Sequence, residues 1–131
     1  MKILLDTHVL LWALTGSKRL SRKAHRLISD PDNDIYVSII SSWEVGIKHN
    51  KFPERMPIGA SDLFKYCKQS GYNLISIKPS HINLLSDLDQ CIYSDPFDRM
   101  LICQAKAEQM TLITCDERIS QYNEPCILMI K

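Results

Sequence analysis

A short apolar run that ends on an acid sets the frame for this chain. Ile3-Leu4-Leu5 leads directly into Asp6. Consecutive apolar residues suit a strand buried on both faces, as in a parallel sheet. The next segment, Val9-Leu10-Leu11-Trp12-Ala13-Leu14, is apolar all round and suits a buried helix. Asp6 then falls at the carboxyl end of a central strand, the edge where open α/β sheets bind their ligands. The rest of the chain is read for other acids that reach that edge.

The remaining pattern is strand and helix in alternation. Gly16 closes the first helix, and Ser21 caps a second that runs to about Ser29. That helix places Leu20, Ala24, Leu27 and Ile28 inward and carries Lys18, Arg19, Arg22, Lys23, His25 and Arg26 on its other side. A solvated face is the plain reading of those charges; a phosphate-contacting patch is the functional one. Asp30 to Asp34 is a turn, and Ile35-Tyr36-Val37 a second strand. Ser38 caps a helix through about Lys48. Pro53, Pro57 and Gly59 mark a connection, followed by a helix over Ser61 to Ser70 with Leu63, Phe64 and Cys67 inward. Leu74 to Ile77 reads as a strand, and Pro79-Ser80 opens a helix using Ile82, Leu84, Leu85 and Leu88. Cys91 to Ser94 reads as a loop. Asp95-Pro96 starts a helix that reaches Gln109, with Asp95 as N-cap and Asp98 in the first turn. Thr111 to Cys115 is a strand that again ends on an acid, Asp116, and Ile127 to Ile130 is the last strand. Such alternation argues for a parallel sheet covered on both faces.

A length of 131 residues fits one domain, spanning 1–131, with enough chain to bury a core. The chain is 45% hydrophobic and 24% charged, as expected of a globular protein, and its net charge of +1 neither demands nor excludes nucleic acid. The apolar run near the start is too short to span a membrane and lacks a basic start and small-residue cleavage site, so no membrane partner is expected. The five cysteines, Cys67, Cys91, Cys103, Cys115 and Cys126, are odd in number and scattered, with no Cys-x-x-Cys. They point to reduced thiols and a cytoplasmic protein, not to a zinc site or a disulfide frame.

Four acids share one expected address. Asp6 and Asp116 end strands, Glu44 lies about one and a half turns into the helix after a strand, and Asp98 lies in the first turn of another helix. Right-handed crossovers bring all four to the same sheet edge. Each has a plain reading as well. Glu44 shares a stripe with Ile40 and Ile47, so it is either a carboxylate on an apolar face or, with the helix rolled, an exposed partner of Lys48. Capping and the helix dipole fully explain Asp95, and explain Asp98 less well, because Leu101, Ile102 and Ala105 put Asp98 on the inner face. Crowded together, four carboxylates need a counter-ion. Hard oxygen ligands without thiolates or paired histidines suit Mg²⁺ or Mn²⁺. Cleavage of phosphoryl esters is the chemistry that uses such a site.

At these residues the chain resembles a known family. Asp6-Thr7-His8, Ser41-Ser42-Trp43-Glu44, Asp95-Pro96-Phe97-Asp98-Arg99 and Thr114-Cys115-Asp116 are similar to the signature blocks of PIN-domain nucleases, most of all the VapC-type toxins of toxin–antitoxin pairs. The resemblance covers essentially the whole chain, in order. It implies a three-layer α/β/α sandwich around a parallel sheet ordered 3-2-1-4-5, and a Mg²⁺- or Mn²⁺-dependent endoribonuclease acting on structured cellular RNA. It also implies a homodimer held inactive by a cognate antitoxin protein. By resemblance, Asp6, Glu44, Asp98 and Asp116 match the catalytic, metal-binding quartet, with Asp6 and Asp98 the surest ligands. Glu44 and Asp116 would bind the metal directly or through water, or orient the attacking water. Thr7 would hold a neighbouring carboxylate or water, and Asp95 is an accessory acid assigned to the cap. Arg99 meets either a phosphate or a neighbouring acid, and His8 either substrate or metal, or packs beside the site. Arg19, Arg22, Lys23 and Arg26 are the candidate RNA contacts.

Two other functions fit the residues. One is a Mg²⁺-dependent phosphatase acting on small phosphoesters, although the Asp-x-Asp start of the common aspartyl phosphatases is missing because position 8 is His. The other is a non-catalytic module that binds RNA or protein.

Overall fold

The computed structural model describes residues 1–89 and 94–130. Positions 91–93 of the expected Cys91–Ser94 loop, with the cysteine at 91, lie outside the described residues.

β1 (Lys2–Leu5) is the central strand. It is followed by α1 (Thr7–Thr15), which ends where Gly16 takes a left-handed conformation with φ 64° that L side chains rarely adopt. α2 (Arg22–Ser29) is capped by the Ser21 hydroxyl, which accepts from the Ala24 N–H. β2 (Asp34–Ser38) leads directly into α3 (Ile39–Lys51), and α4 (Ala60–Gln69) leads to β3 (Asn73–Ile75). A single turn, α5 (Pro79–Ile82), passes into a 3₁₀ segment, Asn83–Asp87. α6 (Pro96–Glu108), β4 (Thr111–Thr114), a short α7 (Glu117–Ser120) and β5 (Ile127–Met129) complete the chain.

The five strands form one parallel sheet in the order β3-β2-β1-β4-β5. Alternation along the strands divides the core in two. Ile3 and Leu5 pack on one face with Val9, Leu10, Ala24, Ile35, Val37, Leu63 and Ile113. Leu4 packs on the other with Leu101, Ile102, Ala105, Leu112 and Ile119. Helices α1, α2 and α4 thus cover one face and α6 and α7 the opposite one, giving the three-layer sandwich. α3 serves both layers, with Val45 in the first and Ile40 in the second.

Two boundaries differ from the sequence reading. The third strand stops at Ile75 rather than Ile77, and the Ser76 carbonyl accepts from the buried Gln104 side chain of α6 at 3.4 Å. The helix opened by Pro79 lasts one turn, and Ile82, expected inward, is exposed. His81 takes the inward place: it is fully buried, its Nδ1 accepts from the Lys78 N–H at 3.0 Å, and its Nε2 lies 2.8 Å from Glu108 Oε1. A polar residue that is satisfied by distant partners defeats a pattern based on apolar spacing.

Among the described residues Cys67, Cys103, Cys115 and Cys126 form no disulfide. No helix among them is long and apolar enough to cross a membrane.

Candidate active site

The end of β1 fixes the first carboxylate. Asp6 is the N-cap of α1, with Oδ1 accepting from the Val9 N–H at 2.8 Å and Oδ2 accepting from the Thr114 hydroxyl at the end of β4. It is only 3% exposed. Burial pushes its carboxyl above the ordinary aspartate range and Asp116 adds to that, while the Thr114 and Val9 hydrogen bonds and His8 oppose it. A cap and a strand end therefore hold a carboxylate in a place that disfavours its charge.

Glu44 takes one feature from each of its two readings and is not exposed. It is buried, and it is also paired with Lys48, whose Nζ lies 2.6 Å from Oε2. Its other oxygen, Oε1, accepts from the Thr7 hydroxyl at 2.8 Å, and the same hydroxyl lies 3.0 Å from Ser41 Oγ. The carboxylate reaches sideways towards α1, where polar partners wait, instead of down into the sheet.

Asp116 caps α7 and is gripped by Arg118. Oδ1 accepts from the Arg118 backbone N–H at 2.9 Å and from Nε at 3.1 Å, and Oδ2 accepts from Nη2 at 3.0 Å. That grip holds its carboxyl below the usual range against the opposing effect of burial. The Asp116 N–H donates to Thr114 Oγ1 at 3.0 Å, so one threonine hydroxyl links Asp6 and Asp116. Asp95 caps α6, accepting from the Phe97 and Asp98 N–H groups at 2.9 and 3.1 Å, and this fixes the first turn that carries Asp98.

Asp6, Thr7, His8, Glu44, Lys48, Asp95, Asp98, Asp116 and Arg118 line one pocket of about 50 Å³. That space holds an ion with a water or two rather than a bulky ligand. All four acids of the expected quartet meet there, drawn from four separate elements. The donor set is entirely carboxylate and hydroxyl oxygen beside His8, which fits a hard divalent cation. Among the described residues no three acids, histidines or cysteines yet stand together closely enough to hold an ion. Glu44 and Asp116 are turned towards Lys48 and Arg118 instead.

Arg99 is not brought to the pocket. It is buried behind it, donating to the carbonyls of Asp89 at 3.0 Å and Leu85 at 3.4 Å and to the Tyr122 hydroxyl at 3.2 Å. One residue of helical rotation separates it from Asp98, enough to send the two side chains to different surroundings. Of the basic stretch, Arg19 lines an adjoining groove with Asp6, His8, Trp12, Cys115 and Asp116, while Arg22, Lys23 and Arg26 lie exposed on α2. Arg118 received no role from the sequence, and Lys48 only that of an ordinary helical partner of Glu44. The signal for Arg118 was its place two residues after a capping acid, where it can fold back on the carboxylate.

A five-stranded parallel sheet with a carboxylate-lined pocket at its carboxyl edge defines the class, and the comparisons supply the family. The PIN domain model matches residues 3–125, so the chain belongs to the PIN-domain family, a family of nucleases. Solved structures share the fold. A chain of VapBC2 from Rickettsia felis, bound to a DNA fragment from its promoter, superposes with a TM-score of 0.71 at 18% identity, covering 98% of this chain and 97% of that one. A chain of a toxin-antitoxin complex from Klebsiella pneumoniae gives 0.65 at 20% identity, with coverage of 96% and 95%. A chain of VapBC-1 from nontypeable Haemophilus influenzae gives 0.63 at 16% identity, with coverage of 94% and 92%. A sequence comparison with curated proteins gives no match.

Proposed function

We propose that this chain is a divalent-metal-dependent endoribonuclease and the toxin of a toxin–antitoxin pair, of the VapC type. The observation that carries the reading is the meeting of Asp6, Glu44, Asp98 and Asp116 in one pocket of a PIN-domain chain. Structural likeness to chains of three toxin–antitoxin complexes supports the antitoxin partner. A homodimer and a cytoplasmic location belong to the same proposal.

Asp6 and Asp98 would be the principal ligands of Mg²⁺ or Mn²⁺, with Glu44 and Asp116 completing the set or orienting the water that attacks. A bound divalent ion supplies charge neutralisation at the scissile phosphate and a lowered pKa for water. The chain's own residues do the positioning. Thr114 holds Asp6 from below and, through the Asp116 N–H, ties the two strand ends together. Thr7 fixes the rotamer of Glu44, and Asp95 fixes the helix turn that presents Asp98. Arg19, Arg22, Lys23 and Arg26 would draw the RNA backbone towards the groove that adjoins the acids.

The experiment is cleavage of total bacterial RNA by the purified protein, with Mg²⁺ or Mn²⁺, with EDTA, and beside Asp6→Asn. Discrete cuts that need metal and vanish in the variant are expected. Cuts by Asp6→Asn, or cuts in EDTA, overturn the reading. Turnover of an aryl phosphate without any RNA cleavage points to a phosphatase instead.

A further inference from the structure

Two cations stand inside the acidic pocket. Lys48 and Arg118 both line it, and each sits on one member of the quartet, at 2.6 and 3.0 Å respectively. Their side chains are 42% and 58% exposed, so both ion pairs lie at the water boundary, where such pairs are weak.

The two carboxylates do not depend on these cations for their placement. Glu44 keeps the Thr7 hydroxyl on Oε1 when Lys48 leaves Oε2. Asp116 keeps the Arg118 backbone N–H on Oδ1 when the guanidinium leaves. In each case the fixed hydrogen bond comes from a rigid element and the ionic bond comes from a long, half-solvated side chain. The anions are anchored and the cations are the movable half.

We propose that Lys48 and Arg118 are exchangeable counter-ions. They neutralise Glu44 and Asp116 while no divalent ion is bound, and pass to phosphate groups of the RNA backbone once a divalent ion takes over the carboxylates. The proposal rests on the nuclease reading and adds two substrate-binding residues to it. The chemistry of each suits the second role: a guanidinium meets phosphate oxygens through two parallel N–H bonds, and an ammonium acts as a point charge. It also accounts for the cation-held acids, since releasing the two cations frees Glu44 Oε2 and Asp116 Oδ2 to meet an ion in the pocket. No covalent step is involved.

The test uses the full chain and the variants Lys48→Ala, Arg118→Ala, Lys48→Arg and Arg118→Lys, each checked for folding by thermal melting. Mn²⁺ binding is measured by calorimetry, and binding of labelled bulk tRNA is measured in Ca²⁺ over a range of salt. Each alanine variant should bind Mn²⁺ more tightly, because a competing cation is gone. Each should bind tRNA about fivefold more weakly, with a salt slope shallower by about 0.7–0.9 for each charge removed. The charge-keeping variants should retain most of the tRNA affinity. Unchanged tRNA affinity and slope in both alanine variants overturn the proposal, even if Mn²⁺ binding tightens. A wild-type protein that neither binds tRNA nor cuts any RNA overturns the nuclease reading itself, so the two failures are told apart.

Discussion

The hydroxyl of Thr7, in the first turn of α1, donates to Glu44 Oε1 of α3 at 2.8 Å across 37 positions of sequence. It is a buried hydrogen bond to a charged acceptor, of the kind worth about 1.5–3 kcal/mol. Thr7→Val keeps the shape and removes the donor. Glu44 then holds only Lys48, and its rotamer loosens. Metal-dependent RNA cleavage should fall by about 10–100-fold, the usual range for partners that orient ligand groups. Thr7→Ser should recover most of it, because the hydroxyl returns. Equal loss in the valine and serine variants would assign the effect to packing instead of the hydrogen bond.

Asp6 couples function against stability. Burial disfavours its charge, yet a metal-binding role needs that charge. Asp6→Asn should therefore abolish cleavage, by at least about 100-fold, while raising stability by roughly 0.5–1 kcal/mol, a trade common at active sites. For a chain of this size that is an upward shift in Tm of roughly 2–5 °C. Thermal melts in EDTA, set beside the cleavage assay, check both halves. A variant that loses activity and melts lower points to a damaged fold.

The same carboxyl gives stability a pH dependence of definite sign. The folded pKa of Asp6 is raised above the reference value of 3.8, so its contribution is full below that value and is lost as pH rises through the folded pKa. Asp116 runs the opposite way: its folded pKa is lowered, and its contribution is present above 3.8 and lost as pH falls through the lower value. In EDTA, the advantage of Asp6→Asn over wild type should grow as pH rises from about 4 towards neutrality. An Asp116→Asn protein should show a deficit that shrinks below about pH 4. Melting temperatures of the three proteins across roughly pH 3.5–8 decide it, and a Tm advantage of Asp6→Asn that is largest at low pH contradicts the assignment.

Local rules carried most of the fold into view. Ser21 and Asp95 cap because a short polar side chain before an apolar repeat has a free N–H to bind, and that is written in adjacent residues. Ile3-Leu4-Leu5-Asp6 placed an acid at a strand end for the same reason. The address of the quartet was legible because each acid sits at a fixed offset from an element boundary. The partners were not. Whether Glu44 meets solvent or Thr7 depends on how α3 is set against α1, and nothing near position 44 encodes that. Arg99 is the sharper case, since its partners Leu85, Asp89 and Tyr122 come from a 3₁₀ segment, a loop and the chain after α7. The turn at Asn83 was hidden because His81, a polar residue, fills an inward place.

The α2 patch tests whether charge far from the acids matters. Arg22, Lys23 and Arg26 are exposed on α2, and Arg19 reaches the groove shared with Asp6 and Asp116. Replacing all four by Ala should raise KM for RNA and leave kcat little changed. The salt dependence should flatten by up to about 3.6 in log–log slope, at roughly 0.7–0.9 for each phosphate no longer neutralised. Steady-state cleavage at several salt concentrations measures both, and an unchanged slope returns the patch to a solvated helix face.

Arg99 separates a structural arginine from a phosphate-binding one. It is 7% exposed, bonded to two carbonyls and a tyrosine hydroxyl, with its guanidinium 5.6 Å from the Tyr122 ring centre. Removing it leaves buried acceptors without a donor, so Arg99→Ala should cost about 2–3 kcal/mol of stability. Arg99→Lys should recover only part of that, because one ammonium cannot span acceptors that a planar fork reaches together. Below its melting temperature, Arg99→Ala should bind Mn²⁺ as wild type does and keep the same salt slope for RNA. Denaturant melts paired with Mn²⁺ titration make the comparison. A variant with wild-type stability and weakened RNA binding would move Arg99 from the core behind the pocket to the substrate path.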